Sequence, residues 1–429
     1  MARWLESKTI VVGLSGGIAC YKAAELVRLL VAGGARVRVI MTRHAMEFIT
    51  PLTLQTLSGE PVSTETFDLT QESEIGHIRL ADGADAVVIA PATANVIGKI
   101  AAGIADDLLT TVLLATRAPV LLAPAMNVHM YENPVVQANL EKLRQLGRRI
   151  VEPGEGFLAC GYEGRGRLAE PATIVAEIER AVASAELAGE QVLVSAGPNR
   201  EAIDPVRFIS NRSTGKMGYA LAAAAWRRGA EVTLVSGPTA LAVPHGVRAV
   251  QVTTAADMEQ AVEREFKSAT IVLMAAAVAD YRPREVAAQK LKKTTGPLSL
   301  QLERTTDILR QLAPRKGDRF LVGFAAETEQ MVANAERKRR EKRLDMIVAN
   351  DVARADAGFA VDTNAVVILD ALGRTDVPLA GKEEVADRIL DRIVALRAER
   401  KRAARAGDEV EASGRRLRVA VNRRRAKRV

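Results

Sequence analysis

The sequence predicts an α/β protein with two doubly wound, parallel-sheet domains in series. Short β-branched runs alternate with amphipathic helical segments, which is the pattern of strands joined by crossover helices. The alternation starts afresh at Gln191, where QVLVSAG repeats the pattern of KTIVVGLSGG near the N-terminus. The chain has 429 residues, which is more than a single hydrophobic core normally serves. We predict domains over residues 1–188 and 189–397, followed by a disordered basic tail at 398–429.

The first half alternates predicted strands with predicted helices. Strands are predicted over Lys8–Leu14, Arg36–Thr42, Ala84–Ala90 and Ala118–Ala123, and helices over Ile18–Val31, Asn95–Thr116 and Ile174–Ala185. Strands that alternate with helices form parallel sheets, so we expect the carboxyl ends of these strands to lie along one edge.

The second half repeats this alternation and then closes with a hairpin. Strands are predicted over Gln191–Gly197, Ala230–Ser236, Thr270–Ala276, Phe320–Phe324 and Asp345–Ala349, with a helix that begins near Lys216. Val361–Leu369 and Asp376–Leu379 predict the hairpin, and a last helix runs from Lys382 to about Arg397. Each half therefore predicts a Rossmann-like or flavodoxin-like sheet, whose strand order stays open.

The composition excludes several classes of protein. A hydrophobic fraction of 48% with 26% charged residues excludes a largely disordered chain. Two cysteines exclude a disulfide scaffold and indicate a reducing compartment, so we expect a cytoplasmic protein. Apolar runs such as Ala84–Ala94 stop short of the roughly 18 residues of a membrane span, and the N-terminus has no signal-peptide pattern. We therefore expect no membrane partner.

The net charge of +8 originates in the C-terminal tail. From Arg397 onward the chain holds 13 Lys and Arg against 4 Asp and Glu, whereas the preceding 396 residues hold 47 against 48. Such a tail suggests a polyanion partner such as nucleic acid. Recognition of single strands needs aromatic platforms, however, and the tail has none. We do not expect nucleic-acid binding to be the main function.

Three loops that follow predicted strands of the first half contain small and hydrogen-bonding residues. They are Ser15-Gly16-Gly17, Pro91–Asn95 and Pro124–Met130. Glycines between a strand and a helix let backbone N–H groups approach a phosphate, and the helix N-terminus favours its negative charge. Three such loops at one sheet edge predict a ligand crevice. The alternative is ordinary strand-to-helix turns, with Thr93 and Asn127 as helix caps.

Two further residues of the first half are candidates for chemistry. His77 is one of four histidines, and the start of a helix favours the neutral imidazole that acts as a base. The alternative for His77 is a partly exposed surface residue. Cys160 lies in the glycine-containing segment GFLACGYEGRGR, which predicts a mobile lid. By contrast, Cys20 is predicted to be a buried structural cysteine of an apolar helix.

The motifs SGGIA, PATAN, PAMNxxM and ACGxxGxGR, in this order, resemble those of the flavin-dependent cysteine decarboxylases. In particular, they resemble the decarboxylase half of the bifunctional phosphopantothenoylcysteine decarboxylase/phosphopantothenate–cysteine ligases of coenzyme A synthesis. The resemblance implies that FMN lies in the crevice. It assigns FMN contacts to Ser15, Gly16, Gly17, Thr42, Ala92, Thr93, Asn95 and Met126.

The same resemblance implies roles for three side chains in decarboxylation. His77 would act as the base during oxidation of the substrate thiol, and Asn127 would hold the carboxylate that leaves as CO2. Cys160 would donate a proton as the enethiol is reduced to the saturated thiol. Oxidation to a thioaldehyde places an electron sink beta to the carboxylate, so CO2 leaves without an unstabilised carbanion; the flavin supplies this redox chemistry.

The second half has strand-end loops that match no general nucleotide motif. Ile209–Gly218 reads ISNRSTGKMG at a predicted helix start, which suits an anion but is neither a Walker A nor a GxGxxG pattern. Lys338 and Lys342 are four residues apart on one helix face, and Lys290 lies in KLKK. Taken alone, the loop is equally well a helix cap, and the lysines are better explained as solvated surface residues.

The motifs SNRSTGKMG, AAAVADYRP, KLKK and GFAAET, with a lysine-rich helix before ANDV, resemble the ligase half of the same family over about Gln191–Arg397. That family uses CTP to form the acyl-cytidylate of 4'-phosphopantothenate, which the amine of L-cysteine displaces. The resemblance implies catalytic roles for Asn211 and Lys290. It assigns CTP contacts to Met274, Ala275, Ala276, Asp280, Lys290, Thr306, Asp307, Ile308, Leu309, Phe324, Lys338 and Lys342. The segment Thr305–Ile308 departs from the family because it has Thr where the family has Pro.

The resemblance also implies charges and partners around CTP. Lys290, Lys338 and Lys342 would neutralise the triphosphate and the charge that develops as pyrophosphate leaves. A divalent ion, Mg2+, would accompany CTP, and the sequence assigns no ligands to it. Trimeric flavin domains and dimeric ligase domains are expected, and hence a homo-oligomer.

We therefore predict a bifunctional enzyme of coenzyme A biosynthesis. It ligates cysteine to 4'-phosphopantothenate and then decarboxylates the product to 4'-phosphopantetheine. One alternative is a flavin-binding protein whose basic tail binds nucleic acid. Another is a flavin-dependent enzyme with a different cysteine-decarboxylating or prenyl-transferring substrate, against which the complete ligase half argues.

Overall fold

A computed structural model of the chain describes residues 4–66, 76–157, 161–292, 298–327, 329–351, 358 and 361–402. The chain divides into two compact units, the first ending at Ala185 and the second beginning at Glu186. Each unit contains a mainly parallel sheet packed against helices, which confirms the predicted α/β class. Within the described part of the chain, no helix combines the length and apolar character that a membrane span needs.

The first unit is built on a six-stranded sheet whose strands are all parallel, in the order β3-β2-β1-β4-β5-β6. The strands are β1 Thr9–Leu14, β2 Arg36–Met41, β3 Val62–Ser63, β4 Ala86–Ala92, β5 Val120–Pro124 and β6 Arg149–Ile150. In this order the chain winds outward in both directions from β1, so β1 and β4 form the switch point at which such sheets bind ligands.

Helices cover both faces of this sheet. They are α1 Tyr21–Ala32, α2 Pro51–Ser58, α3 Gly76–Asp82, α4 Ala94–Ala102, α5 Leu108–Ala115, α6 Val128–Tyr131, α7 Pro134–Gln145 and α8 Pro171–Val182. Because side chains alternate along a strand, Ile10 and Val12 pack into one core cluster while Val11 packs into the other. A two-stranded antiparallel ribbon, β7 Gly154–Phe157 and β8 Glu163–Arg167, lies outside the sheet.

The predicted continuous helix over Asn95–Thr116 is wrong, because the structure has α4 and α5 in its place. The reason is a second helix start at Asp107. Its carboxylate accepts a hydrogen bond from Thr110 N at 2.8 Å, and Thr110 Oγ1 accepts one from Asp107 N at 3.2 Å. This capping box satisfies N–H groups that a continuous helix would have paired with earlier carbonyls.

The second unit has an eight-stranded sheet in the order β13-β12-β9-β14-β17-β18-β19-β20. Its strands are β9 Gln191–Ala196, β12 Glu231–Ser236, β13 Arg248–Gln251, β14 Ile271–Met274, β17 Phe320–Glu327, β18 Met346–Asp351, β19 Thr363–Asp370 and β20 Gly373–Gly381. The first six positions are parallel, and β19 and β20 add an antiparallel hairpin at one edge. The predicted closing hairpin is confirmed, and the switch point lies between β9 and β14.

Two short ribbons and five helices complete the described part of the second unit. The ribbons pair β10 Arg200–Ala202 with β11 Phe208–Ser210 and β15 Tyr281–Pro283 with β16 Leu302–Arg304. The helices are α9 Lys216–Arg227, α10 Ala255–Phe266, α11 Ile308–Leu312, α12 Met331–Glu341 and α13, residues 382–402. The last helix extends past the predicted end at Arg397. The rest of the predicted tail, 403–429, lies outside the described residues.

Candidate functional site

A large cavity opens at the carboxyl ends of the strands in the first unit, with a volume of about 1010 Å³. Its wall is formed by the loops after β1, β2, β4 and β5 together with the ribbon β7–β8. The lining includes Ser15, Gly16, Gly17, Thr42, His44, Phe48, Thr93, Asn95, Met126, Asn127, Phe157 and Gly166. The cavity therefore lies at the switch point between β1 and β4.

Ser15 joins the two loops of the switch point. Its hydroxyl donates to Pro91 O at 2.8 Å and accepts from Thr93 N at 2.9 Å. Ser15 is 1% exposed, and these two hydrogen bonds hold its hydroxyl in one orientation. Thr93 in turn caps α4, since its Oγ1 accepts from Val96 N.

Gly16 is a position at which the cavity wall requires glycine. A Cβ atom built on Gly16 would lie 2.3 Å from the Cβ of His44, far inside van der Waals contact. The loops after β1 and β2 therefore approach each other as closely as their backbones allow. An absent side chain leaves the backbone of residues 16 and 17 open to the cavity.

The ribbon β7–β8 is docked on the loop after β5. Met126 N donates to Gly166 O at 3.0 Å, and a Cβ atom on Gly166 would lie only 2.3 Å from Met126 O. Asn127 follows as the cap of α6, its Oδ1 accepting from His129 N at 2.8 Å. The ribbon thus covers the part of the cavity where Met126 and Asn127 lie.

A second cavity, of about 710 Å³, opens at the carboxyl ends of the strands in the second unit. The N-terminus of α9 and the loop before it, residues 211–218, form one wall. The end of β14 with the following residues, and the residues around the start of α11, form the others. The lining also contains Phe324, Lys338, Lys342, Asn350, Asn364 and Lys382. The cavity lies at the switch point between β9 and β14.

Acidic residues hold two lysines of this cavity. Lys338 Nζ lies 2.7 Å from Glu327 Oε1, and Lys342 Nζ lies 2.8 Å from Asp307 Oδ2. Both lysines line the cavity. Asn211 is also held, because its Nδ2 donates to Ala277 O at 3.0 Å. Two ammonium groups and an amide in one cavity wall suit an anionic ligand, because charged donors form strong hydrogen bonds with anionic oxygens.

Lys382 is a buried cation in the same wall, with 6% of its surface exposed. Its Nζ donates to Gly358 O at 2.8 Å and to Val361 O. Burial lowers the pKa of its ammonium group to about 8, with the nearby Lys216 acting in the same direction. The carbonyl contacts join the start of α13 to the segment before β19.

Two family models match the chain, one for each unit. The model described as "Flavoprotein" matches residues 2–183, and the "DNA/pantothenate metabolism flavoprotein C-terminal domain" matches residues 187–396. The coenzyme A biosynthesis bifunctional protein CoaBC of Bacillus subtilis (strain 168) is 51% identical over 397 residues, covering 91% of this chain and 98% of the relative. The Escherichia coli (strain K12) protein of the same name is 48% identical over 398 residues, covering 91% and 97%. The chain belongs to the CoaBC family.

A solved structure of a CoaBC C-terminal domain is also similar to part of the chain. It is 44% identical, with a TM-score of 0.44, and the match covers 50% of this chain and 100% of that one. A structure described as a PPC decarboxylase mutant complexed with pantothenoylaminoethenethiol is 32% identical, with a TM-score of 0.36 and coverage of 40% and 96%.

Most of the predicted flavin contacts of this CoaBC family member line the first cavity. Those that do are Ser15, Gly16, Gly17, Thr42, Thr93, Asn95 and Met126, with Asn127 beside them. Ala92 does not, because it is fully buried in β4, where its carbonyl accepts from Ala125 N. Cys160 lies outside the described residues.

His77 is not part of this cavity. It lines a separate cavity of about 210 Å³, beside Arg36, Arg38 and Arg79. Burial lowers the pKa of the Arg38 guanidinium, and the charges of Arg36 and Arg79 act in the same direction. Within one copy of the chain, the structure therefore does not bring the predicted base together with the predicted flavin contacts.

The predicted ligase residues line the second cavity with one exception. Asn211 and all the predicted CTP contacts other than Lys290 are in its wall. Lys290 is exposed and lies outside the lining. The structure adds Lys216, Asn350, Asn364 and Lys382, which sequence reasoning missed. Lys216 and Asn350 carried a signal, since both lie in the motifs SNRSTGKMG and ANDV, whereas Lys382 lies in none.

Proposed function

We propose that this chain joins L-cysteine to 4'-phosphopantothenate with CTP and then decarboxylates the product to 4'-phosphopantetheine with FMN. Membership of the CoaBC family supports both activities. Relatives named as bifunctional coenzyme A biosynthesis proteins match this chain along almost their whole length. The observation that carries the proposal is the pair of cavities, one in each unit, lined by most of the residues that the two sets of motifs predicted. The low cysteine content supports a cytoplasmic location.

The first cavity fits FMN. Its volume of about 1010 Å³ accommodates a tricyclic ring and a ribityl phosphate. The backbone N–H groups of Gly16 and Gly17 suit the phosphate, because no side chain covers them where Gly16 approaches His44. The short helical segment Ile18–Cys20 follows directly, and a helix start favours the negative charge of the phosphate. When bound, FMN would accept a hydride from the substrate and return it after CO2 has left.

The protein's own residues would then orient the substrate and move its protons. Asn127, on the loop beneath the ribbon, would hold the substrate carboxylate until it leaves as CO2. Cys160, between β7 and β8 in the chain, would donate the proton that completes the saturated thiol. His77 would take the proton of the substrate thiol. The ribbon would exclude water from this step.

The second cavity fits CTP and 4'-phosphopantothenate. Lys338 and Lys342 would exchange their carboxylate partners for phosphate oxygens of CTP, and Mg2+ would accompany the triphosphate. Asn211 would orient the pantothenate carboxylate as it attacks the α-phosphate and pyrophosphate leaves. The N-terminus of α9, where Gly215 and Lys216 line the cavity, would take the 4'-phosphate. The cysteine amine would then displace CMP.

We propose that the protein works as a homo-oligomer, with trimeric flavin units and dimeric ligase units. His77 supports this for the flavin unit, since it faces a different cavity from the one proposed for FMN. Exposed apolar side chains on the two ribbons of the ligase unit support it there. Phe208, Tyr281 and Leu302 are 48%, 46% and 47% exposed, a pattern typical of a surface that a partner covers.

The proposal is tested with the purified protein, 4'-phosphopantothenate, cysteine, CTP and Mg2+. We expect release of pyrophosphate, CMP and CO2 from a yellow, flavin-containing preparation. Asn211→Ala should lose CMP release yet decarboxylate supplied 4'-phosphopantothenoylcysteine, and Asn127→Ala should show the reverse. A colourless protein, or no CMP release from the wild-type chain, would contradict the proposed function.

A further inference from the structure

Lys290 differs from the other proposed ligase residues in how its position is determined. It lies in the irregular segment 284–292, its side chain is exposed, and it is not part of the cavity wall. The position of such a side chain depends on where the backbone on either side of it is held. The contacts of that backbone therefore decide whether Lys290 is delivered to CTP.

Another loop holds the backbone on both sides of Lys290. Asp204 Oδ2 accepts a hydrogen bond from Leu291 N at 3.1 Å, and Arg207 Nη2 donates to Leu291 O at 2.8 Å. On the other side, Ala287 N donates to Ile203 O at 3.0 Å. All three partners lie in the turn between β10 and β11.

Asp204 is itself rigidly placed. It is 2% exposed, and its Oδ1 accepts from Val206 N and Arg207 N, both at 2.8 Å. Its Oδ2 accepts from Arg207 Nε at 2.9 Å as well as from Leu291 N. The Arg207 guanidinium, helped by these backbone N–H groups, holds the pKa of the carboxyl well below its usual range. At neutral pH the group is therefore a charged and fixed acceptor.

We infer that Asp204 is a positioning residue of the ligase, which fixes the Leu291 backbone and thereby the place from which Lys290 reaches the triphosphate. Asp204 does not line the cavity and touches no proposed substrate group. The inference rests on the proposed CTP-dependent ligation, and within it on the role at the triphosphate that the family resemblance implies for Lys290. The charge of Asp204 contributes to the reaction only through the segment that Asp204 holds. In this respect Asp204 differs from Lys338 and Lys342, which line the cavity.

Amide hydrogen exchange of the full-length, flavin-loaded protein tests the anchor itself. In Asp204→Asn, the amides of a peptide covering 287–292 should exchange faster, while those of β9 and β12 stay protected and report an intact fold. Asp257→Asn is the matched control. It removes a carboxylate that accepts from Thr254 N at 2.9 Å at the start of α10, outside the cavity wall, and it should leave 287–292 unchanged. Unchanged exchange at 287–292 in Asp204→Asn would overturn the inference.

Single-turnover release of pyrophosphate tests the consequence for the reaction. Asp204→Asn should lower the rate at saturating CTP by about a hundredfold, as expected for a displaced catalytic group, with a much smaller change in the CTP concentration that half-saturates the enzyme. In a Lys290→Gln background, Asp204→Asn should cause no further loss, because the two changes remove the same contribution. Equal losses in both backgrounds would mean that Asp204 acts independently of Lys290, which contradicts the inference.

A different result would separate this inference from the proposed function. If Lys290→Gln released pyrophosphate at the wild-type rate, Lys290 would have no role in the reaction. The inference depends on that role, so it would be overturned whatever the exchange data showed at 287–292. If Lys290→Gln was slow but Asp204→Asn was as fast as the wild type, the proposed function would stand and the positioning role would fail. Decarboxylation of supplied 4'-phosphopantothenoylcysteine should be unchanged in all variants, because the flavin cavity lies in the other unit.

Discussion

Lys382 carries a charge that folding disfavours. The unfolded chain holds its ammonium proton with the ordinary pKa of 10.5, whereas burial in the cavity wall lowers the value to about 8. Between these two pH values the unfolded state binds more protons than the folded state. The free energy of unfolding contributed by this group therefore rises with pH across that window, and it is lowest below pH 8, where the buried group is charged.

Replacement of Lys382 by Met should remove this pH dependence. We expect the stability of the wild type, relative to Lys382→Met, to increase from about pH 8 to about pH 10.5, because only the wild type gains from deprotonation. Urea unfolding monitored by Trp226, in a Trp4→Phe background, reports on the second unit. Leu379→Met on the adjacent strand is the control, since it changes no titratable group. A stability difference between wild type and Lys382→Met that stays constant across the window would contradict the prediction.

Single residues of the site were predictable where a strand end and a motif coincided. Ser15 and Thr93 directly follow strands of the sheet, so the strand pattern alone places them at its ligand edge. Asn211 follows the ribbon strand β11, so only its motif indicated a place in the site. Lys382 was not predictable, because nothing in its local sequence indicates that the start of α13 returns to the cavity. Lys290 lies in a motif, yet its position depends on Asp204, which is distant in sequence and carries no motif of its own.

At the scale of elements, the ribbon β7–β8 is the part of the flavin cavity that depends most on close backbone packing. Gly166 has a positive φ of 143°, and its backbone touches the carbonyl of Met126. Gly156, on the other strand, has a similar φ of 137° but no atom within 4 Å of the place where a Cβ would lie. The two glycines thus separate the effect of backbone strain from that of contact with the cavity loop.

Gly166→Ala should displace the ribbon from the loop that carries Asn127. We expect decarboxylation at saturating FMN to fall about tenfold or more, because a misplaced ribbon disturbs both the substrate carboxylate and the chain around Cys160. Gly156→Ala has the same backbone strain but no clash with the loop that carries Met126, so its decarboxylation activity should fall much less. CO2 release from supplied substrate measures the effect, and ligation in the other unit is the internal control. Equal losses in both variants would show that strain, and not docking, determines activity.

Elements were predictable where the apolar pattern was strong and less so where short polar signals decide. The central strands of both sheets are confirmed, because their apolar runs leave no helical alternative. The break between α4 and α5 was missed, since the apolar period continues through it and only Asp107 and Thr110 mark the second start. The ribbons were not predicted either, because they contain few apolar residues and pair across loops.

At the scale of the whole molecule, the two units have the same strand order around their first strands, β3-β2-β1-β4 and β13-β12-β9-β14. Each therefore opens its cavity at its own switch point, and each cavity is lined by residues of one unit only. This arrangement agrees with two reactions that are chemically independent. The net positive charge of the sequence comes from the residues after position 396, whereas the 396 residues that form both sheets are close to neutral.

The position of His77 is a problem that one copy of the chain does not solve. The predicted base lines a cavity with Arg36, Arg38 and Arg79, while Asn127 lines the cavity proposed for FMN. Proton transfer needs heavy atoms within hydrogen-bond reach. In a cyclic oligomer, one surface of each copy contacts a different surface of the next copy. Such a contact can bring the surface with His77 of one copy to the flavin cavity of its neighbour. We therefore expect His77 to serve the flavin cavity of an adjacent copy.

Mixed oligomers test this expectation directly. His77→Asn and Asn127→Ala should each be inactive in decarboxylation when expressed alone. When the two are co-expressed, a site that combines Asn127 of one copy with His77 of its neighbour arises in about a quarter of the positions of a randomly mixed ring, so about a quarter of the wild-type activity should return. Mixing His77→Asn with His77→Ala is the control and should restore nothing. If each cavity used its own His77, no site in the mixed oligomer would be complete and co-expression would give no activity.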